Sequence, residues 1–591
     1  MKTHLILFLT ATMTAVGCID FGDDDITPVD NGEEIVVNPI DESAFETSIV
    51  PAGTAAGTSY NFGDADTSDD NIANTTFDRV ISIVFGGSQA TVTGDENGIV
   101  TVSGNRVTVN NTTKENIVYD LSGTATDGCF KLYSSKKQAI RLSGLGLGNP
   151  AGAAINNQSK KRTFVIVEGS NALTDGASYT ETPDNEDEKA AFFSEGQLIF
   201  CGKGSLVIKA RGKAGLTSDD YVRFMSSPTV KVTSSAGHAV RGKDAIIVTA
   251  GEITAATSAD MKKGFTSDSL VRFEGGKTLI GVTGSAAYDS EDAEYTGTAG
   301  IKADILFEML DGELSISNSG TGGKGISGDA DGYFKGGKVT VSCTGANYGQ
   351  SNGGFGPGGH PGGNSSSSDN SVSAKGIKFD GNLYFSGGTV NVVCKSHEGI
   401  EAKGTMQITG GSIYSHSGDD AINAGGDLTI RDGYVCAISS GNDGIDANGN
   451  CYIKGGVVYA VGSGGAEVAI DANTEEGKKL YVEGGTIVAV GGLERGSQLS
   501  QSCWSASSWN KSAWYALYNG SNVALVFKAP ATGGNGLVVS TSGTPSLKTG
   551  VNVSGGTSIS GGYAMTGSTV SGGSTVKLSS YTSGGAGWGP R

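Results

Sequence analysis

The sequence predicts an all-β chain: a right-handed parallel β-helix of about 22–25 residues per coil with a small β-rich C-terminal cap. Three observations predict it. The first is a repeated block, read as KGIKFD (375–380), EGIEAK (398–403), DDAINA (419–424), DGIDAN (443–448) and EVAIDAN (467–473). Its key apolar residues, Ile377, Ile400, Ile422, Ile445 and Ile470, are spaced by 23, 22, 23 and 25. The second is the continuation of each copy into an apolar-x-apolar pair, a Gly-Gly turn and another alternating segment, as in Met406-Gln407-Ile408, Gly410-Gly411 and Ile413-Tyr414-Ser415. Three short period-two strands joined by tight turns make one coil, and a coil that cannot bury its own interior must stack on its neighbours. The third is composition. Gly makes up 95 of 591 residues without a collagen period and Pro only 11, as many tight turns and short strands require.

In chain order, residues 1–17 form the first element. Lys2 and His4 precede the apolar run LILFLTATMTAV, which ends in Val16-Gly17-Cys18. The run is too short to span a membrane and reads as a bacterial lipoprotein signal, with cleavage before Cys18 and lipid on its sulfur. The acidic IDFGDDD immediately after it resembles surface-export signals of Bacteroidetes lipoproteins. This places the chain at the outer membrane, facing outward and held only by its lipid anchor. Residues 18–48 are a disordered tether. The helix domain covers 49–495, because weaker copies of the block, at 214–219, 238–243, 263–268, 299–304 and 324–329, extend it upstream to give ten coils. One step of 36 residues implies an insertion. The 51-residue step from Ile326 to Ile377 implies one coil carrying a disordered loop, 349–373, since GGFGPGGHPGGNSSSSDN has nothing apolar to bury. Residues 496–591 read as antiparallel strands of a cap, and Trp504, Trp509, Trp514, Tyr515 and Tyr518 are placed to close the open helix end.

Charge placement carries the chemistry. Two residues before the key apolar position stand Lys263, Lys324 and Lys375, each with an Asp five residues on (Asp268, Asp329, Asp380), so these units are expected to neutralise themselves. From residue 398 the same slot holds Glu398, Asp420 and Asp443, and the residue after the key Ile is Glu401, Asn423, Asp446 and Asp471. Asp419 adds a further oxygen donor, and few bases stand nearby in sequence. Carboxylates one coil apart repel by about 3 kcal/mol per pair at an effective dielectric near 20, so such a stack calls for cations. Calcium suits it, because it accepts six to eight oxygens in a forgiving geometry, whereas magnesium needs a tighter octahedron and zinc would want more His or Cys than His397 and His416 supply. The expected calcium ligands are Glu398, Glu401, Asp419, Asp420, Asn423, Asp443, Asp446 and Asp471. A bare turn-forming role for these Asp and Asn residues is the competing reading.

Tyr333, Tyr384, Tyr452 and Tyr481 share the outward position before the Gly-Gly turn, and Tyr414 and Tyr459 the outward position after it. Flat rings at coil spacing suit sugar faces as well as ordinary cross-strand packing. The expected ligand-binding set is Tyr384, Tyr414, Tyr452, Tyr459 and Tyr481. Seven cysteines besides Cys18, with no C-x-x-C pair, make neither a disulfide framework nor a zinc site; Cys343 and Cys394 stack as thiols or as a disulfide. A net charge of −19 argues against nucleic acid as a partner.

GGSQATVTGDENGIVTVSGNRVTV (86–109), NALTDGASY (171–179), AAFFSEGQLIFCGKGSLVIKA (190–210) and the repeated TGG and SGDDAIN pattern resemble a bacterial carbohydrate-binding β-helix domain family with a pectate-lyase-like fold. The resemblance covers about residues 60–495 and implies polysaccharide as partner, polygalacturonate or cellulose, with bound calcium. It leaves three functions open: calcium-dependent binding of a plant cell-wall polysaccharide without turnover, a pectin-degrading lyase or hydrolase, or an adhesive surface rod. A lyase needs a base beside calcium. Arg431 is the candidate, but it leads a tight Arg-Asp-Gly turn, so the reading leans away from an enzyme. The Asp pair of GDDAI (418–422) suggests a hydrolase dyad, yet its counterparts in neighbouring coils make it architectural.

Overall fold

The computed structural model describes residues 37, 38, 40, 49–51, 68–349 apart from 181 and 184, 371–555 and 569–584. The signal segment with Cys18, nearly all of the tether and all but the edges of the 349–373 loop lie outside the described residues.

Ile377, Ile400, Ile422, Ile445 and Ile470 pair in register on successive coils and are fully buried. The ladder continues upstream through Ile326, Ile301, Phe265, Val240 and Leu216. Ile326 pairs directly with Ile377, so the 51-residue step is one coil with an insertion. The 36-residue step carries a small antiparallel hairpin, Ala287–Asp289 with Glu294–Thr296. The helix has about 15 turns rather than ten. The additional coils carry Phe192, Ile155, Phe130 and Val107 in the same ladder, with no charged residue two positions before it, unlike most later copies. At about 4.8 Å per coil the rod is roughly 70 Å long.

Each coil adds one strand to each of three parallel faces. The key apolar positions lie on a 14-stranded sheet from Val100–Ser103 to Ile445–Ala447. The other two faces meet at the Gly-Gly corner, where long strands such as Met406–Ser417 and Leu428–Ser439 bend through it with a shifted register. The last glycine of that corner is left-handed in coil after coil, Gly411, Gly433, Gly456 and Gly485 all having positive φ, a conformation in which a Cβ would be strained. Inward residues of all three faces fill one continuous core.

The C-terminal residues form two structures. Leu537–Ser540 and Cys503–Ala506 extend the helix wall, the former pairing antiparallel with Thr486–Val490. A separate antiparallel sheet runs in the order Ile49–Pro51, Asn522–Lys528, Trp514–Asn519, Pro545–Ser554, Thr569–Val576. Residues 49–51 therefore belong with this sheet and not with the helix. The sheet lies along the flank of the last coils: Tyr515, Leu517, Leu525 and Phe527 form one cluster with Tyr414, Tyr459, Val461 and Val488. Trp514 and Tyr518 face the other side, against Ala516, Val526 and Val551. The expected aromatic end cap is thus split: Trp504 lies on the helix wall, and Trp514, Tyr515 and Tyr518 on the two faces of a lateral sheet. Cys343 and Cys394 stack in register as buried free thiols, donating to the carbonyls of Lys375 and Ala374.

Candidate functional site

Two columns of side chains run where the preceding turn enters the 14-stranded sheet, one on the strands and one beside their start, and both change sign at the same coil. One position after the key apolar residue the order is Arg241, Thr266, Lys302, Ser327, Lys378, then Glu401, Asn423 and Asp446, with Asp471 and Glu494 continuing it. Two positions before, Lys263, Ala299, Lys324 and Lys375 give way to Glu398, Asp420 and Asp443.

The basic half is only partly neutralised, and not as the sequence suggested. Asp268, Asp329 and Asp380 pair with Arg241, Lys302 and Lys378 in the neighbouring column, because period-two alternation points those bases the same way. Lys263, Lys324 and Lys375 have other surroundings. Burial, with further lysines close by, pushes Lys263 and Lys324 down to about 8.

At the change of sign Lys375 reaches into the next coil. Its Nζ lies 2.5 Å from Oε2 of Glu401 and 3.1 Å from Oε2 of Glu398, while Lys403 lies 2.5 Å from the other Glu401 oxygen. Burial alone would raise the Glu401 pKa, but the two lysines outweigh it and hold the carboxyl below its ordinary range. The expectation of few nearby bases therefore fails for Glu398 and Glu401, whose charges lysines already answer.

Beyond this step Asp420, Asp443 and Asp446 make no ion pair with a lysine or arginine among the described residues. Asp420 is pushed up to about 8 by burial, then by Asp446 and Asp419; Asp443 to about 7, mainly by burial, with Glu467 adding to it; and Asp446 to about 6 by burial with Asp419 and Glu467. Burial and a hydrogen bond to Glu494 raise Asp471 further. Asn423 ties the group together, its Nδ2 donating to Asp420 at 3.0 Å and to Asp446 at 2.8 Å. The backbone N–H of Asp443 donates to Asp420, and that of Val468 to Asp443. Hard oxygen donors from adjacent coils, lacking a countercharge, fit calcium chemically. The eight expected ligands do not form one cage. Asp420, Asn423, Asp443 and Asp446 are interlinked, Glu398 and Glu401 belong to lysines, and Asp471 belongs with Glu494.

Asp419 takes a third direction. Its Oδ2 lies 3.5 Å from Nδ1 of His397, which also contacts Glu398, and the three offer ligand atoms within 4.8 Å of one another. A second such group, Asp187, Glu195 and Asp219, is not legible in the sequence: Asp219 ends the 214–219 copy of the block, but Asp187 and Glu195 fall outside every copy. Lys189 sits 2.8 and 2.6 Å from two of its carboxylates.

The outward row before the Gly-Gly corner presents tyrosines in two stacked pairs. Tyr333 and Tyr384 lie 4.6 Å apart and within 11° of parallel; Tyr452 and Tyr481 lie 4.9 Å apart and within 12°. Gln407 and Thr429 fill the two rungs between them. These rings remain half-exposed. Tyr414 and Tyr459 do not serve as a sugar surface: both are fully buried under the lateral sheet, Tyr459 packing 5.5 Å from Phe527 and donating from its hydroxyl to the Lys528 carbonyl. Arg431 is exposed at the Gly-Gly corner, whereas the acidic columns run along a different corner of the coil.

No curated protein matches the chain. Among solved structures it is similar to the polysaccharide lyase-like protein from C. thermocellum, solved as a gadolinium derivative, at 18% identity and a TM-score of 0.32, over 45% of this chain and 95% of that one. A family model described as "Carbohydrate-binding domain-containing protein" matches residues 103–421, more than half of the 591, and the chain belongs to that family.

Proposed function

We propose that this protein binds an acidic plant cell-wall polysaccharide, polygalacturonate foremost, through calcium held by Asp420, Asn423, Asp443 and Asp446, and that it does not cleave its ligand. The observation that carries the reading is the run of Asp420, Asp443 and Asp446, buried or half-buried, interlinked and pushed up to about 8, 7 and 6. Calcium there would answer the missing countercharge and bridge protein carboxylates to uronate carboxylates, which a chain of net charge −19 otherwise repels. Tyr384, Tyr452 and Tyr481, on the strand face that leads to the Gly-Gly corner, would give sugar rings a separate stacking surface. Turnover is left out of the proposal because the neighbouring bases are engaged, Lys375 and Lys403 with Glu398 and Glu401, and His397 with Glu398 and Asp419. Lipid on Cys18 would hold the rod at the outer membrane of a Bacteroidetes-type cell, facing outward.

A glycan array read with calcium and with EDTA, beside an assay for unsaturated oligosaccharide products, tests the reading. The expected result is calcium-dependent binding and no product. Product formation that disappears in Arg431→Ala would replace it with a lyase, and binding to no glycan would leave a surface rod.

A further inference from the structure

Past the last Asp of the column the helix end is not sealed flush. The turns 464–468 and 491–495 of the last coils form the floor of a cleft of about 710 Å³, and 505–506, 535–538 and parts of 581–584 form its walls. That volume lies within the ~300–1,000 Å³ typical of small-ligand sites. All these residues lie outside the 103–421 segment that the family model matches.

Close backbone contacts hold the walls in place. A Cβ on Gly464 would sit 2.6 Å from the Gly534 Cα, and one on Gly534 would sit 2.7 Å from the Gly491 Cα. Tyr581 donates from its hydroxyl to the Leu493 carbonyl at 3.3 Å, and the Gly496 N–H to the Gly584 carbonyl at 2.8 Å. Within this frame Gly465 and Gly492, both at positive φ, have nothing among the described residues within 4 Å of where a Cβ would stand. Bare backbone facing open space admits close approach by a hydroxyl-rich ligand. The rim carries Arg495, exposed, and Glu467, half-buried, and among the described residues Arg495 makes no ion pair.

We infer that this cleft is a second saccharide site, taking the end of a chain whose terminal sugar is anionic: Arg495 pairs with the anionic group, and the backbone of Gly465 and Gly492 meets the ring hydroxyls. A guanidinium fork matches a planar carboxylate bidentately and also engages sulfate. Glu467 opposes the same group and tunes the affinity downward. The inference rests on the carbohydrate-binding reading but requires no calcium.

The test is calorimetric titration of the full chain, in EDTA, with galacturonic acid, galactose 6-sulfate and galactose. At least one anionic sugar should bind more tightly than galactose, and which one does so identifies the anionic group. Arg495→Gln should weaken that binding about tenfold or more, the loss of one charged hydrogen-bonded contact. Glu467→Gln should strengthen it. Asp420→Asn, which removes a proposed calcium ligand without touching the cleft, should leave it unchanged. Because Arg495 is exposed, its variant should melt as the parent does, which separates lost binding from lost fold. Equal binding of galactose and both anionic sugars, no binding of any, or an Arg495→Gln variant that binds like the parent would overturn the inference. Calcium-dependent retention on polygalacturonate is a separate readout, so either proposal can fail alone.

Discussion

Lys375 and Glu401 stand on successive coils with Nζ and Oε2 2.5 Å apart, and this ion pair marks the coil at which both surface columns turn from basic to acidic. Removing the lysine strands Glu401, which is almost fully buried, and Glu398, which is nearly so. Breaking such a pair from one side costs about 3–5 kcal/mol, and Lys403 should keep Lys375→Met near the lower end. Adding Glu401→Gln should recover part of the loss, seen as a positive coupling in a double-mutant cycle of denaturant midpoints. Additive effects would show that the pair is not coupled.

Ile422→Asp places an unpaired carboxylate in the core ladder, flanked by Ile400 and Ile445. A buried, unpaired charge costs several kcal/mol, and neighbouring coils share the same core, so several should lose protection together. Hydrogen exchange should show that loss across 377–470. A variant with parental circular dichroism and protease resistance would contradict the ladder.

The tyrosines divide by cover. Tyr459→Ala removes a buried ring under the lateral sheet and should cost about 3–5 kcal/mol, with early proteolysis in 514–576. Tyr384→Ala, on the half-exposed row, should leave the melting temperature within a few degrees and weaken glycan retention instead. The reverse assignment of effects would mean that the lateral sheet is not docked over Tyr459.

Asp420, Asp443 and Asp446 give the acidic run a signed pH dependence. Their folded pKa values, about 8, 7 and 6, lie above the ~3.9 of an unfolded Asp. Below about pH 4 both states hold the protons and the contribution is fully present. As pH rises the unfolded chain releases them first, so stability falls until the folded groups also ionise, across about pH 6–8. In EDTA the melting temperature should therefore decline from pH 5 to 8. Millimolar calcium, which binds the ionised form, should flatten the decline, and so should Asp420→Asn with Asp443→Asn. A flat profile in EDTA would show that these carboxylates are solvated and unperturbed.

The Ile ladder and the loop between Ile326 and Ile377 were legible because inward residues repeat with the coil, and the repeat survives an insertion. Coils carrying Phe130, Ile155 and Phe192 repeat at spacings of 23, 25 and 37 from Val107, much like the upstream copies, but they lack the Gly before and the Asp three residues after that mark most of those copies, so only stacking reveals them. Acidic positions could be read, but not their partners. Register alone brings Lys375 to Glu401, and alternation gives Asp329 to Lys302 rather than to Lys324. Tyr384 and Tyr459 look alike in sequence as outward residues on alternating strands. What distinguishes them is Phe527, whose sheet folds back over one and not the other.

The most direct test of calcium-dependent glycan binding is retention of the full chain on immobilised polygalacturonate in calcium and in EDTA, run beside Asp420→Asn with Asp443→Asn. The account requires strong retention of the parent in calcium, release by EDTA, and loss of the calcium effect in the double variant. Retention that persists in EDTA, or a double variant that still responds to calcium like the parent, would contradict it.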